Sequence, residues 1–203
     1  MAMRSVFFGF LVAAVLAVVA PAVHAADSET FEVMGFKLGA TAGEIETAAK
    51  SNKLTTIHIT RGPSFEQAVK KARRQMVQVR DYAGVQIIRA ESSNAAAVVT
   101  FAPTPDGPRA VKIVYDVMPG GIDVSALEAQ LVANHGKPDL KDERGWVWGD
   151  TAAFYSRKSA YLELRPHPVS AGARKPDATL ILADPSLQKR SEEAISDKAA
   201  QGS

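Results

Sequence analysis

The chain opens with a stretch that has no polar side chain from Val6 to Ala20. Arg4 precedes it, Pro21 breaks it, and Val23 and Ala25 stand at −3 and −1 of a cut before Ala26. That order is the order of a secretory leader. A spanning helix needs about twenty consecutive apolar residues, more than this stretch supplies. The expectation is a leader at residues 1–25, cleaved after Ala25, and a mature chain in the periplasm or secreted, with no transmembrane span.

Beyond the leader the apolar spacing switches between two and about 3.6 residues. Phe31 to Gly39 begins with alternation and ends in a turn, so it predicts a strand. Thr41 and Glu44 have capping-box spacing, and Ile45, Ala48 and Ala49 form the stripe of a short helix ending near Asn52. Leu54 to Thr60 is rich in β-branched residues and stops at Arg61-Gly62-Pro63. Residues 64–80 predict an amphipathic helix, with Phe65, Val69, Ala72, Met76 and Val79 opposite Lys70, Arg73 and Arg74. Met76 to Arg80 can alternatively leave it as a strand. Val85 to Ala90 predicts another strand.

Ala95–Ala102 and Arg109–Met118 read as a β-hairpin turned by Pro105, Asp106 and Gly107, with Pro108 at its open end. Asp123 or Ser125 can cap a helix whose stripe is Val124, Leu127 and Leu131, and Gly136 and Pro138 stop it. Asp139 to Arg144 reads as a charged loop. An antiparallel meander follows. Gly145–Gly149 carries Trp146 and Trp148 on one face, Ala153–Ser156 and Tyr161–Leu164 flank a turn, Arg165–Asp177 is a loop, and Thr179–Leu182 is buried. Residues 186–203 are polar and predict a frayed helix or disorder. The fold class expected is α+β: mainly an antiparallel sheet meander with two or three short helices, one domain over 26–185. The order strand, capped helix, hairpin recurs from 31 and from 111, which suggests two related halves.

Composition narrows the chemistry more than it identifies it. There is no cysteine, so an exported domain of this kind stands without disulfides, and a segment of this length buries enough surface to do so. Of the net charge of +2, Arg4 supplies one. So balanced a mature chain gives no global attraction to nucleic acid. His58, His135 and His167 lie far apart and lack metal-ligand spacing. No nucleophile elbow and no phosphate-binding glycine loop occurs. Asp139, Asp142 and Glu143 interleave with Lys141 and Arg144 as a solvated loop does. No catalytic residue, metal site or cofactor is therefore expected.

Two binding candidates remain. Lys70, Arg73 and Arg74 form a basic helix face that could meet an anionic surface; the plainer reading is a solvated face. Trp146 and Trp148 could line an apolar groove; the plainer reading is a packed sheet face.

Three stretches carry a resemblance: Gly35 to Thr41 with Glu44-Ile45, Val99-Thr100-Phe101 with Val111-Lys112-Ile113, and Leu131 to Pro138 leading to Trp148-Gly149. Their order resembles a group of uncharacterised exported proteins of Gram-negative bacteria. The glycine and proline pieces are also similar to modules of outer-membrane assembly lipoproteins and β-lactamase-inhibitor-type domains. The resemblance implies protein binding without catalysis. This chain lacks the lipid-bearing cysteine of the lipoproteins. The function expected is a non-catalytic binding or adaptor module of the cell envelope, its partner an envelope protein or an anionic surface. The alternatives are an envelope hydrolase with a dispersed acid/His site and a membrane-surface assembly or stress factor.

Overall fold

The computed structural model describes residues 31–167 and 175–201. The expected leader, and residues 168–174 of the expected 165–177 loop, lie outside the described residues.

One open antiparallel sheet of eight strands organises the chain. The strands are β3 (Thr55–Gly62), β4 (Gly84–Glu91), β5 (Ala95–Thr104), β6 (Gly107–Val117), β7 (Leu140–Asp142), β8 (Gly145–Gly149), β9 (Tyr161–Pro166) and β10 (Ala178–Ala183). Their order across the sheet is β3-β4-β5-β6-β10-β9-β8-β7. Two consecutive four-strand meanders thus meet at the antiparallel β6–β10 pair. Helix α1 (Ala42–Ser51) precedes the first meander and α3 (Val124–His135) the second. A small hairpin of β1 (Glu32–Val33) and β2 (Phe36–Lys37) leads in, and α2 (Phe65–Ala72) and α4 (Pro185–Ala200) complete the fold. The α+β class is as the alternation predicts, with four helices rather than two or three.

Alternation puts the core on one face. Ile88, Val99, Ile113, Leu162, Leu164, Leu180 and Leu182 are almost fully buried against Ile45 and Ala49 of α1, Leu127 and Leu131 of α3, and Phe31 and Phe36. Burial of a side chain of this size is worth about 1.5–3 kcal/mol. Caps fix where the helices begin. The Thr41 hydroxyl accepts from the Glu44 N–H while the Glu44 carboxylate accepts from the Thr41 N–H at 2.7 Å. Asp123, not Ser125, caps α3.

Four boundaries differ from the sequence expectation. Helix α2 stops at Ala72, because Arg74 takes a left-handed backbone (φ 59°) and residues 73–83 become a loop with one 3-10 turn at Val79–Asp81. Leu140–Asp142 pairs with β8 as an edge strand instead of looping out. Phe154–Ser156 is a 3-10 turn, not a strand. Pro108 sits opposite Pro103, one pair from the turn, rather than at the hairpin's open end.

The polar tail takes the helical of its two expected readings, but without the fraying. Residues 185–200 form a continuous helix. Asp184 caps its first turn, and Pro185 opens it with a preset φ. Ser191 is buried and its hydroxyl donates to the Pro103 carbonyl at 2.6 Å. At the far end the Arg73 guanidinium donates to the carbonyls of Lys198 (2.7 Å) and Ala199 (3.1 Å). Polar anchors at both ends, with Leu187 against the core, order a segment whose composition alone reads as loose.

Candidate functional site

The other face of the sheet carries a charge where the pattern calls for an apolar side chain. Val98, Val114, Ile181, Glu163 and Val147 stand in one cross-strand row over β5, β6, β10, β9 and β8. Glu163 is only 7% exposed. A lone carboxylate between Val147 and Ile181 would be costly, and it is not alone. Arg157 reaches one carboxylate oxygen at 2.6 Å and Arg165, two residues along the same strand face, reaches the other at 2.5 Å. Burial pushes the Glu163 carboxyl up, but the hydrogen bonds and charges of Arg165 and Arg157 outweigh it and hold the group below its ordinary range. Arg157 also lies over the Tyr161 ring, 4.1 Å from its centroid.

The segment that delivers Arg157 is closed by one aspartate. Asp150 accepts from the N–H of Ala152, Lys158 and Ser159 at 2.7–3.1 Å. These backbone donors hold its carboxyl down to about 2. The Asp150 N–H itself donates to the Ala160 carbonyl, so the loop's two ends are joined. Gly149 before it has φ 85°, and a Cβ there would lie 2.5 Å from the Ala160 carbonyl oxygen. Gly145 is tighter still: a Cβ would fall 2.1 Å from the Leu164 carbonyl oxygen. Both glycines are required by close backbone approach.

Between this loop, the β7–β8 turn and the sheet lies an open cleft of about 370 Å³. Arg144, Arg157 and Arg165 line it with Phe154 and Val147, and the carboxylates of Asp142 and the ion-paired Glu163 also border it. Phe154 is 43% exposed and Tyr155 beside it 98%. The Arg157 and Arg165 guanidinium carbons lie 5.9 and 5.6 Å from the Phe154 ring centre, and the Lys112 ammonium 6.0 Å. Arg157 is itself engaged: its side chain is buried, Nε donates to the Ala152 carbonyl at 3.1 Å and Nη1 to Glu163. The cleft therefore offers the guanidinium donors of exposed Arg144 and of the half-exposed Arg165, beside one aromatic face. That chemistry suits a planar anion such as a carboxylate, which arginine can grip with two parallel hydrogen bonds.

The residues singled out from sequence are distributed differently. Lys70 and Arg74 are exposed on and just after α2, while Arg73 is spent on the end of α4. Trp148 is 2% exposed and its indole N–H donates to the Gly136 carbonyl at 2.8 Å, so it is part of the core. Trp146 packs on the same face under the Lys141 ammonium, and its buried indole nitrogen has no hydrogen-bond partner. His58 is exposed on the edge strand β3. His135 lies against Phe31 with Nε2 3.2 Å from the Glu32 carbonyl. His167 Nε2 is 2.9 Å from the Thr179 hydroxyl, which donates to Asp116 at 2.6 Å. Among the described residues no group of three or more His, Asp or Glu could hold a metal ion, and no helix is long and apolar enough to cross a membrane.

The charged set Arg157, Glu163 and Arg165, with Asp150 and Phe154, went unnoticed in the sequence. One signal was available. Tyr161-Leu162-Glu163-Leu164-Arg165 alternates so strictly that Glu163 and Arg165 must share a face. Arg157 reaches them only because Asp150 folds the loop back. Comparisons with protein-family models, curated proteins and solved structures find no match for this chain.

Proposed function

We propose that this chain is an exported, non-catalytic binding module of the cell envelope that grips an acidic segment of a partner protein in the cleft beside Phe154. One observation carries the reading: Arg144 of the β7–β8 turn and Arg165 of β9 line the same cleft as the exposed Phe154 ring, which stands on a loop locked in place by Asp150 and by the buried Arg157. A preformed loop gives up little conformational freedom on binding, and arginine beside an aromatic is a frequent anchor of protein interfaces.

Site-specific photo-crosslinking tests this. A photoreactive amino acid in place of Tyr155 should give a discrete adduct in whole cells. Adding Arg144→Glu should remove that adduct, because a carboxylate at the rim repels an acidic segment. Absence of any adduct, or an adduct indifferent to Arg144→Glu, would count against the reading.

A further inference from the structure

A second surface stands apart from the cleft, on the side of the sheet that ends in β3 and β4. Residues 73–83 leave α2 and return to β4, and the apolar side chains at their tip point into solvent. Met76 is 90% exposed and Val79 is 74% exposed. Around them Lys70, Lys71, Arg74 and Arg80 are all exposed, and residues 70–80 contain no carboxylate. The first acid after them is Asp81, 3.7 Å from Arg80.

The base of this loop is fixed. The Gln67 side chain accepts from the N–H of Ser64 (2.9 Å) and Ala83 (3.0 Å) and donates to the Asp81 carbonyl (2.7 Å). The Lys71 ammonium donates to the Tyr82 hydroxyl at 3.1 Å. Arg73 is held by the end of α4. Loop and helix are thereby clamped at residues 67, 71, 73 and 81–83, while the segment between presents its apolar tip. Neither Met76 nor Val79 contributes to the buried core.

We infer that the 70–80 segment is a docking surface for an anionic lipid bilayer. A soluble anion would use the cations and leave Met76 and Val79 without purpose. A bilayer uses both: its headgroups meet the lysines and arginines, and its acyl boundary takes up the methionine and valine. The inference stands independently of the cleft. The two surfaces lie toward opposite edges of the sheet, so one molecule could hold a membrane and a partner protein at once.

Vesicle flotation with the purified protein tests this. Vesicles of mixed phosphatidylglycerol and phosphatidylcholine should retain it, and pure phosphatidylcholine should not. Lys70→Glu with Arg74→Glu should lower retention by at least about 25-fold, since each cation near an anionic surface is worth about fivefold. Met76→Ser with Val79→Ser, which alters no charge, should lower it several-fold, and Met76→Trp should raise it several-fold. All these side chains are exposed, so the thermal midpoint should stay within about 2 °C of the parent. Failure of phosphatidylglycerol vesicles to retain the protein overturns the inference. So does retention that Met76→Ser with Val79→Ser leaves unchanged, or that soluble polyglutamate abolishes at equal charge concentration, because attraction would then be electrostatic alone. A loss of flotation with intact Tyr155 crosslinking, or the reverse, separates this surface from the cleft.

Discussion

Strand β9 has two faces that solve burial in different ways. Leu162 and Leu164 point into the core and are fully buried by apolar neighbours. Glu163, between them in sequence, is nearly as buried on the opposite face and depends on two arginines. The first solution is non-directional and tolerates rearrangement. The second works only if Arg157 is held over the strand, and so only if Asp150 closes its loop. The core face therefore accounts for stability, while the ion-paired face accounts for the shape of the cleft.

That difference can be broken in a graded way. Leu164→Ala should cost about 2–5 kcal/mol in urea unfolding, through lost transfer energy and the cavity left behind. Glu163→Gln should cost less, about 1–3 kcal/mol, by leaving Arg157 without its counter-charge; Arg165 is 38% exposed and recovers part of its loss from water. Replacing the whole set with Arg157→Met, Glu163→Leu and Arg165→Met should restore most of that stability while abolishing the anion cleft. A triple variant as unstable as Glu163→Gln would show that the loop, not the charge pairing, sets the cost.

The pair Trp146 and Trp148 sharpens the comparison within one strand. Trp148→Phe removes a satisfied donor and should cost about 1 kcal/mol, leaving the Gly136 carbonyl unpaired. Trp146→Phe removes an indole N–H that is already unpaired and should be neutral or stabilising by up to about 1 kcal/mol. Thermal unfolding of the two variants side by side decides it.

Acid should act on the ion-paired face first. Glu163 and Asp150 both bind protons less readily in the folded chain than in the unfolded one. As pH falls, the unfolded chain takes up protons first, so stability is lost. Their contribution is complete above about pH 4.5, the ordinary glutamate value, and declines toward pH 2, where Asp150 itself titrates. Tryptic cleavage after Arg157 or Lys158 should accelerate over that window before the far-ultraviolet circular dichroism changes.

How far the sequence discloses this protein depends on the reach of each signal. Local signals read well: the capping box at Thr41 and Glu44, the stop at Gly136, and the alternation of β5 and β6 all appear as the spacing predicts. Helix α4 is legible as a helix but not as an anchored one, because its anchors are non-local. Arg73 lies more than a hundred residues from the carbonyls it satisfies. The stretch 73–80 continues a helical apolar stripe in sequence, yet Arg74 in the left-handed region ends the helix and turns Met76 outward. The cleft is hidden for the same reason as α4: its parts join through a loop fold and a strand face, which linear spacing does not display.

The loop from Asp150 to Ala160 and the β7–β8 turn, if they form the proposed receptor, should take up a carboxylate-bearing segment without rearranging. Amide chemical shifts of the isotope-labelled protein, titrated with a short peptide of aspartate, glutamate and phenylalanine, test it most directly. Shifts should be confined to Arg144, residues 152–158, Glu163 and Arg165, and the matching asparagine and glutamine peptide should cause none. Equal shifts with both peptides, or shifts clustered elsewhere on the sheet, would contradict it.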